Sequence, residues 1–296
     1  MSTSLNNLRG IALMVMATGV FVTNDTFMKL ATEGLPPLQV LFMRGVSATI
    51  WCVPLLFLTG AIRDIRYFND KWVVLRSVVE TAAVTLFIIC LANMPIADIT
   101  ALGQLAPMML LLALAVFFGE RVGLNRFVLI GIGFVGAVLV AQPGAAGFSI
   151  FAVLGFAQAL LTGMRDVVLR RVPAAVPSLI VAFSAIIIVM VGAGAAHFTF
   201  EEWQVPEMRH ILLLGGAGLF LMIGHTAISM AYRTGEAGVV APFYYTFAIW
   251  AVLSGILVFG TVPNPLAMAG IALILGSGVT VAVIDERKRR KLQVLA

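Results

Sequence analysis

Long apolar runs leave this chain few folds to choose from. Between charged or Pro/Gly breaks, stretches near 9–31, 36–59, 72–93, 95–117, 124–141, 149–169, 177–197, 210–232, 238–259 and 265–284 carry very little charge. A helix needs about 20 such residues to cross the hydrocarbon of a bilayer. Lipid offers the backbone no hydrogen-bond partners, so a run that crosses must satisfy its own N–H and C=O groups as a helix. The expectation is an all-α integral membrane protein of ten transmembrane helices. Only 11% of the 296 residues are charged while 61% are hydrophobic. A soluble domain carries about a quarter charged residues, so a water-facing exterior is excluded. The first run follows Arg9 but is longer than a signal-peptide core and has no small-x-small cleavage site before Asp25, so it is kept as the first span.

Orientation follows from the basic residues, which collect in cytoplasmic loops. With the N-terminus inside, the cytoplasmic ends gather Arg9, Arg63, Arg66, Lys71, Arg76, Arg121, Arg126, Arg165, Arg170, Arg171, Arg233 and the tail Arg287-Lys288-Arg289-Arg290-Lys291. The other ends hold Lys29 and Arg209 with Glu33, Glu201, Glu202 and Glu207, and of the Lys and Arg only Arg44 falls inside a span away from its ends. An odd number of spans would spoil this alternation, so both termini are expected in the cytoplasm. The net charge of +5 is therefore a topology signal; no basic face remains for nucleic acid.

The chain also repeats itself. Phe118-Gly119, a short turn and a span with Gly131 and Gly136 return as Phe259-Gly260, a turn and a span with Gly270 and Gly276. Residues 1–143 and 149–284 are read as two five-helix repeats, followed by a basic cytoplasmic tail, 285–296. Because five is odd, the second copy enters the membrane inverted, an arrangement that places a substrate at the midplane between halves.

At this point the residues resemble the drug/metabolite transporter superfamily, and within it the ten-span EamA-type carriers. The likeness rests on Asn24-Asp25 with Lys29, on Arg44, on Leu91-Ala92 leading through Pro95 and Ala97, and on Pro107 and Phe118-Gly119-Glu120. It continues in Ala241-Pro242-Phe243-Tyr244-Tyr245, Trp250 and Phe259-Gly260. Thr261 departs from the pattern, since many relatives repeat there the acidic residue seen at Glu120; Glu120 is accordingly read as a structural cap. The resemblance implies a secondary transporter of the bacterial inner membrane, with a pseudo-symmetric bundle and a central cavity lined by spans 1, 3, 4, 6, 8 and 9. The span-one and span-nine motifs look most like riboflavin uptake carriers. Export of amino acids or related metabolites is the runner-up, and S-adenosylmethionine carriers are also similar. The partners expected are a small-molecule substrate and the lipid bilayer, with proton coupling and a homodimer as open alternatives and no cofactor.

Ionisable groups at membrane depth are costly unless paired or hydrated, so each is a functional candidate. Asp25 and Lys29 lie one turn apart on one helical face. Asp25 is about 9 Å and Arg44 about 12 Å below the outer surface at 1.5 Å per residue, which permits an Asp25–Arg44 pair acting either as a fixed salt bridge or as an outer gate. Glu80 lies about 12 Å in from the cytoplasmic end, one turn beyond Arg76; it is either an ion-pair partner or a proton relay. His225 is either a packing residue or a coupling site. Asp98 is expected to cap the start of span four.

The substrate candidates are Asn24, Gln104, Gln158, Tyr244, Tyr245 and Trp250, because amides offer paired donors and acceptors and aromatic faces stack on rings. The span-nine aromatics face either the pathway or lipid. Gly131-Ile132-Gly133-Phe134-Val135-Gly136 spells a dinucleotide fingerprint without the strand it requires. It is read, with Gly192-Ala193-Gly194 and Gly215-Gly216-Ala217-Gly218, as small-residue helix packing. Cys52 and Cys90 stand singly in apolar runs as packing residues. The three histidines, at 197, 210 and 225, have no ligand spacing and no nucleophile beside them, which argues against a membrane enzyme.

Overall fold

A computed structural model describes residues 2–118, 124–141 and 150–295, all of whose regular structure is helical. The helices are α1 (Ser2–Ala31), α2 (Pro37–Leu58), α3 (Lys71–Asn93), α4 (Ile96–Gly103), α5 (Ala106–Phe118), α6 (Leu124–Ala141), α7 (Ile150–Leu169), α8 (Ser178–Phe200), α9 (Met208–Thr234), α10 (Ala237–Val240), α11 (Thr246–Phe259) and α12 (Pro265–Leu295). Short 3₁₀ segments, Ala61–Asn69 and Ala241–Tyr245, join α2 to α3 and α10 to α11. Eight helical stretches are long and apolar enough to cross a membrane, and the shorter apolar stretches Ile96–Leu112 and Phe127–Val140 complete ten spans. The turn at Gly119-Glu120, and with it the expected cap, lies outside the described residues, as does the join between the two expected repeats.

Polarity is distributed as lipid demands. Ile50, Phe57, Leu212 and Leu257 are exposed, whereas Thr18, Asn24, Asp25, Gln39, Arg44, Gln104 and Ser184 are buried. Apolar side chains face outward because the hydrocarbon costs them nothing, and the few polar ones turn into the bundle. One end of the bundle carries Glu33, Glu201, Glu202 and Glu207 and is called the acidic end; the other carries Arg76, Arg165, Arg171 and Arg233 and is called the basic end. The helix α12 runs unbroken from Pro265 to Leu295.

Two spans are interrupted. Span four is α4 and α5, separated at Gln104-Leu105, with Pro107 lacking the N–H that would carry the helix smoothly through. Span nine is α10 and α11, separated by the 3₁₀ segment that holds Pro242. Each span then resumes as a helix of similar length, 13 residues in α5 and 14 in α11.

The packing has a regular pattern. α1 packs on α9 and α11, and α7 on α3 and α5; α2 packs on α8 and α9, and α3 on α8; α6 packs on α12, and α4 on α11. In span numbers, a shift of five turns the 1–8 contact into 6–3, 1–9 into 6–4 and 2–8 into 7–3, and it returns 2–7, 4–9 and 5–10 to themselves. At the centre of the 5–10 contact, Gly136 and Gly270 face each other. A Cβ added at Gly136 would stand 2.7 Å from the Gly270 carbonyl oxygen. Gly194 lies against Phe42 and Gly218 against the backbone of Ala48, whereas Gly131 and Gly215 face open space. Small-residue packing therefore holds for some of these glycines and not for their neighbours in the same motif. Cys52 and Cys90 are buried free thiols.

The acidic end is stitched shut. Pro36-Pro37 starts α2 without N–H groups of its own, and the Glu201 carboxylate, from the end of α8, accepts the next two amides, Leu38 N at 3.1 Å and Gln39 N at 3.2 Å. His197 Nδ1 sits 2.8 Å from the same carboxylate. The Gln39 side chain donates to the Gln204 carbonyl at 2.6 Å and accepts from Gln204 N at 3.0 Å. Arg209 and Glu33 pair at 3.4 Å on the surface. Replacing Glu201 with Ala is expected to lower stability by about 1–2 kcal/mol, the worth of a helix cap, read as a lower melting temperature in detergent. A melting temperature equal to wild type would show that water replaces the cap without loss.

Candidate functional site

A cavity of about 730 Å³ opens at the basic end, where its mouth is framed by Leu169, the Val172–Ala174 turn and Arg233. It runs inward between α2, α3, α8 and α9 and stops at Arg44 and Val189. Its size is within the about 300–1,000 Å³ usual for small-molecule sites. Its walls are mainly apolar, with Val84, Ile186 and Leu221 among them, and Arg44, Arg76, Glu80, His225, Ser229 and Tyr232 are among its polar groups.

The charged wall is built on α3 and α7. Glu80 lies one turn beyond Arg76, and the two pair at 3.2 Å. From α7, Arg165 Nη1 donates to both Glu80 oxygens, at 3.2 and 2.9 Å, while its Nε donates to Asp166 at 2.9 Å. One carboxylate is thus shared by two guanidinium groups. The sequence reading found the Arg76–Glu80 half and counted Arg165 only as a cytoplasmic marker. The available signal was its position within the 149–169 run rather than beyond it. His225 lines the cavity and stands edge-on to Phe21, ring centroids 5.1 Å apart.

Other candidates lie elsewhere. Asp25 is buried and accepts a hydrogen bond from the Asn24 amide at 2.8 Å. It attracts Arg44 electrostatically, but no direct ion pair joins the two among the described residues. Lys29 does not turn to Asp25. Its ammonium donates to the carbonyls of Leu91 at 2.6 Å and Met94 at 2.9 Å, and it lies 5.5 Å from the centre of the Phe259 ring. A cation suits that place, because the last carbonyls of α3 have no intrahelical partners and carry the negative end of the helix dipole. Asp98 sits in the first turn of α4, but no side-chain bond caps that helix, whose cap position is Pro95.

None of the six substrate candidates lines the cavity. Gln104 and Gln158 are buried on α4–α5 and α7, and each leaves its Oε1 without a hydrogen-bond partner. Gln158 Nε2 donates to Thr162 at 3.0 Å. Tyr244 packs beside Met14 and Ala231, and Tyr245 lies against Gly278 of α12. Trp250 rests on Gly19, and its Nε1 donates to the Val15 carbonyl at 3.0 Å. The span-nine aromatics therefore brace that span against spans one and ten. Of the spans expected around the cavity, three and eight line it, span six reaches it only at Leu169, and spans two and seven supply the rest. Which side chains reach this cavity depends on helix packing and rotation, which a single sequence does not encode.

Residues 8–142 match the EamA-like transporter family. Similarity to curated transporters extends over its whole length. It is 27% identical to the riboflavin transporter of Vibrio cholerae, covering 100% of each chain. It is 28% identical to the riboflavin transporter of Rhizobium johnstonii, covering 96% of this chain and 91% of that one. With the pseudopaline exporter CntI of Pseudomonas aeruginosa the identity is 24%, over 90% and 93% of the two chains. A crystal structure of a protein at 18% identity has the same fold, with a TM-score of 0.65 over 97% of this chain and 99% of that one. This protein is thus a multi-pass membrane transporter, and the basic-end cavity is its candidate substrate site.

Proposed function

We propose that this EamA-like transporter is a secondary carrier that brings riboflavin into the cytoplasm across a bacterial inner membrane. The observation that carries the reading is the end-to-end similarity to riboflavin transporters from two bacteria. The cavity suits such a cargo: apolar walls accept the faces of a fused ring, while arginine and histidine supply hydrogen bonds at its edge. Its single carboxylate, Glu80, is taken up by Arg76 and Arg165, so no free anion waits for a cationic substrate.

The basic end is the cytoplasmic one, because Lys and Arg concentrate on that side, and both termini lie there. The cavity is then open inward, with the acidic end closed toward the outside. The two halves are inverted five-helix repeats that rock against each other. The five-span shift that preserves the packing and the matching interruptions of spans four and nine support this. Glu80 and His225 are the groups through which protons would couple to transport. Export of a metabolite is the second reading, favoured by the similarity to a pseudopaline exporter.

Uptake of labelled riboflavin by a flavin-auxotrophic host decides between them. Expression of the chain is expected to raise uptake at low external vitamin several-fold. Background uptake despite membrane expression would remove riboflavin and turn attention to efflux from loaded vesicles.

A further inference from the structure

Arg44 lies at the blind end of the cavity and is only 8% exposed, yet its Nε has no hydrogen-bond partner. Asp25 and Glu80 are its electrostatic neighbours, but neither bonds to it among the described residues. Arg76 and Arg165, by contrast, converge on Glu80. A guanidinium taken out of bulk water without a fixed partner is expensive. Chains keep such groups where something else arrives to meet them.

We propose that Arg44 is the anchor of the transported molecule and receives two adjacent, coplanar acceptor atoms on its guanidinium fork. A planar fork with parallel N–H donors recognises such a pair in a way that the ammonium of a lysine does not. Two sources share this chemistry. One is the edge of the flavin ring where the C4 carbonyl oxygen stands beside N5, the same side-by-side pattern that arginine reads on guanine O6 and N7. The other is a carboxylate. Val84, Val189 and Leu221 border the same deep end of the cavity and offer apolar contact to the rest of the ligand. The flavin form rests on the riboflavin reading above; the two-acceptor form does not.

The test uses the full chain purified in detergent and three probes: riboflavin, 5-deazariboflavin, in which N5 is replaced by C–H, and citrate. Riboflavin binding is followed by fluorescence quenching and citrate binding by the shift in melting temperature. Wild-type protein is expected to bind riboflavin about tenfold more tightly than the deaza analogue, the weight of one good bidentate contact. Arg44→Lys is expected to bind riboflavin about tenfold more weakly and to lose the discrimination, with its ligand-free melting temperature near wild type. Should Arg44→Lys fail to fold, the comparison of the two flavins on wild-type protein decides alone. Equal affinity of wild type for both flavins, or an Arg44→Lys protein that binds and discriminates as wild type does, overturns the proposal. If wild type ignores both flavins but gains thermal stability with citrate, and Arg44→Lys does not, the anchor stands and the riboflavin reading fails. If none of the three probes binds wild type, the anchor is overturned.

Discussion

Glu80→Ala is expected to yield little folded protein, and no transport. The substitution strands Arg76, whose ion pair is with this carboxylate, and leaves Arg165 with Asp166 alone. Side-chain exposure is 16% for Glu80, 12% for Arg76 and 22% for Arg165, so solvent compensates little. Breaking a buried pair on one side costs about 3–5 kcal/mol, a large share of the 5–15 kcal/mol that typically separates folded from unfolded protein. The loss also removes the one side-chain ion pair that joins α3 to α7 among the described residues. Asp166→Asn is the control: Asp166 is 31% exposed and among the described residues forms an ion pair with Arg165 alone, so a small effect is expected. Thermal unfolding in detergent distinguishes the two. An alanine variant that unfolds at the wild-type temperature would mean the arginines are hydrated from the cavity and the network is not structural.

Gly136→Val is expected to separate α6 from α12 and to cost about 3 kcal/mol, the upper part of the range for overpacking. Gly136 meets the Gly270 carbonyl and the Ile274 backbone nitrogen, so moving the nearby Ile274 side chain aside would not make room. Gly131→Val, five residues earlier on the same helix, adds its side chain to open space and should leave the protein folded. The measurement is the yield of monodisperse protein after extraction, together with its melting temperature. Equal behaviour of the two variants would show that the helix contact is loose enough to accept a side chain.

This pair of glycines also shows where sequence stopped being informative. Residues 131–136 announce a close-packed helix by composition, and the structure has one there. The letters do not say which glycine touches a neighbour, because that depends on rotation about the helix axis. The same limit governs the candidate site. The spans and the sorting of charge to two ends follow from lengths and transfer energies that act residue by residue. Arg76 and Glu80 were visible as partners because a turn of helix brings them together. Arg165 joins them from a different span, at a separation of 85 residues, and only the packing of α3 on α7 makes the contact. Lys29 was read beside Asp25 by spacing, yet the open carbonyls at the end of α3 held it more strongly. The amides and aromatics of spans four, six and nine lie outside this cavity, and the span-nine aromatics brace one helix on another with the same chemistry that would hold a ligand.

The stitched acidic end has a consequence for the speed of the proposed cycle. To admit cargo from that side, the Glu201 carboxylate must let go of the first amides of α2, and Gln39 must release Gln204. These bonds break together, because the same two helix ends carry them. A cargo molecule can promote the change only to the degree that it prefers the reversed form, so tight binding alone would slow turnover rather than drive it. Such a machine is throttled by unfastening its outer clasp, and its rate should climb steeply with warming whatever the affinity at the pocket.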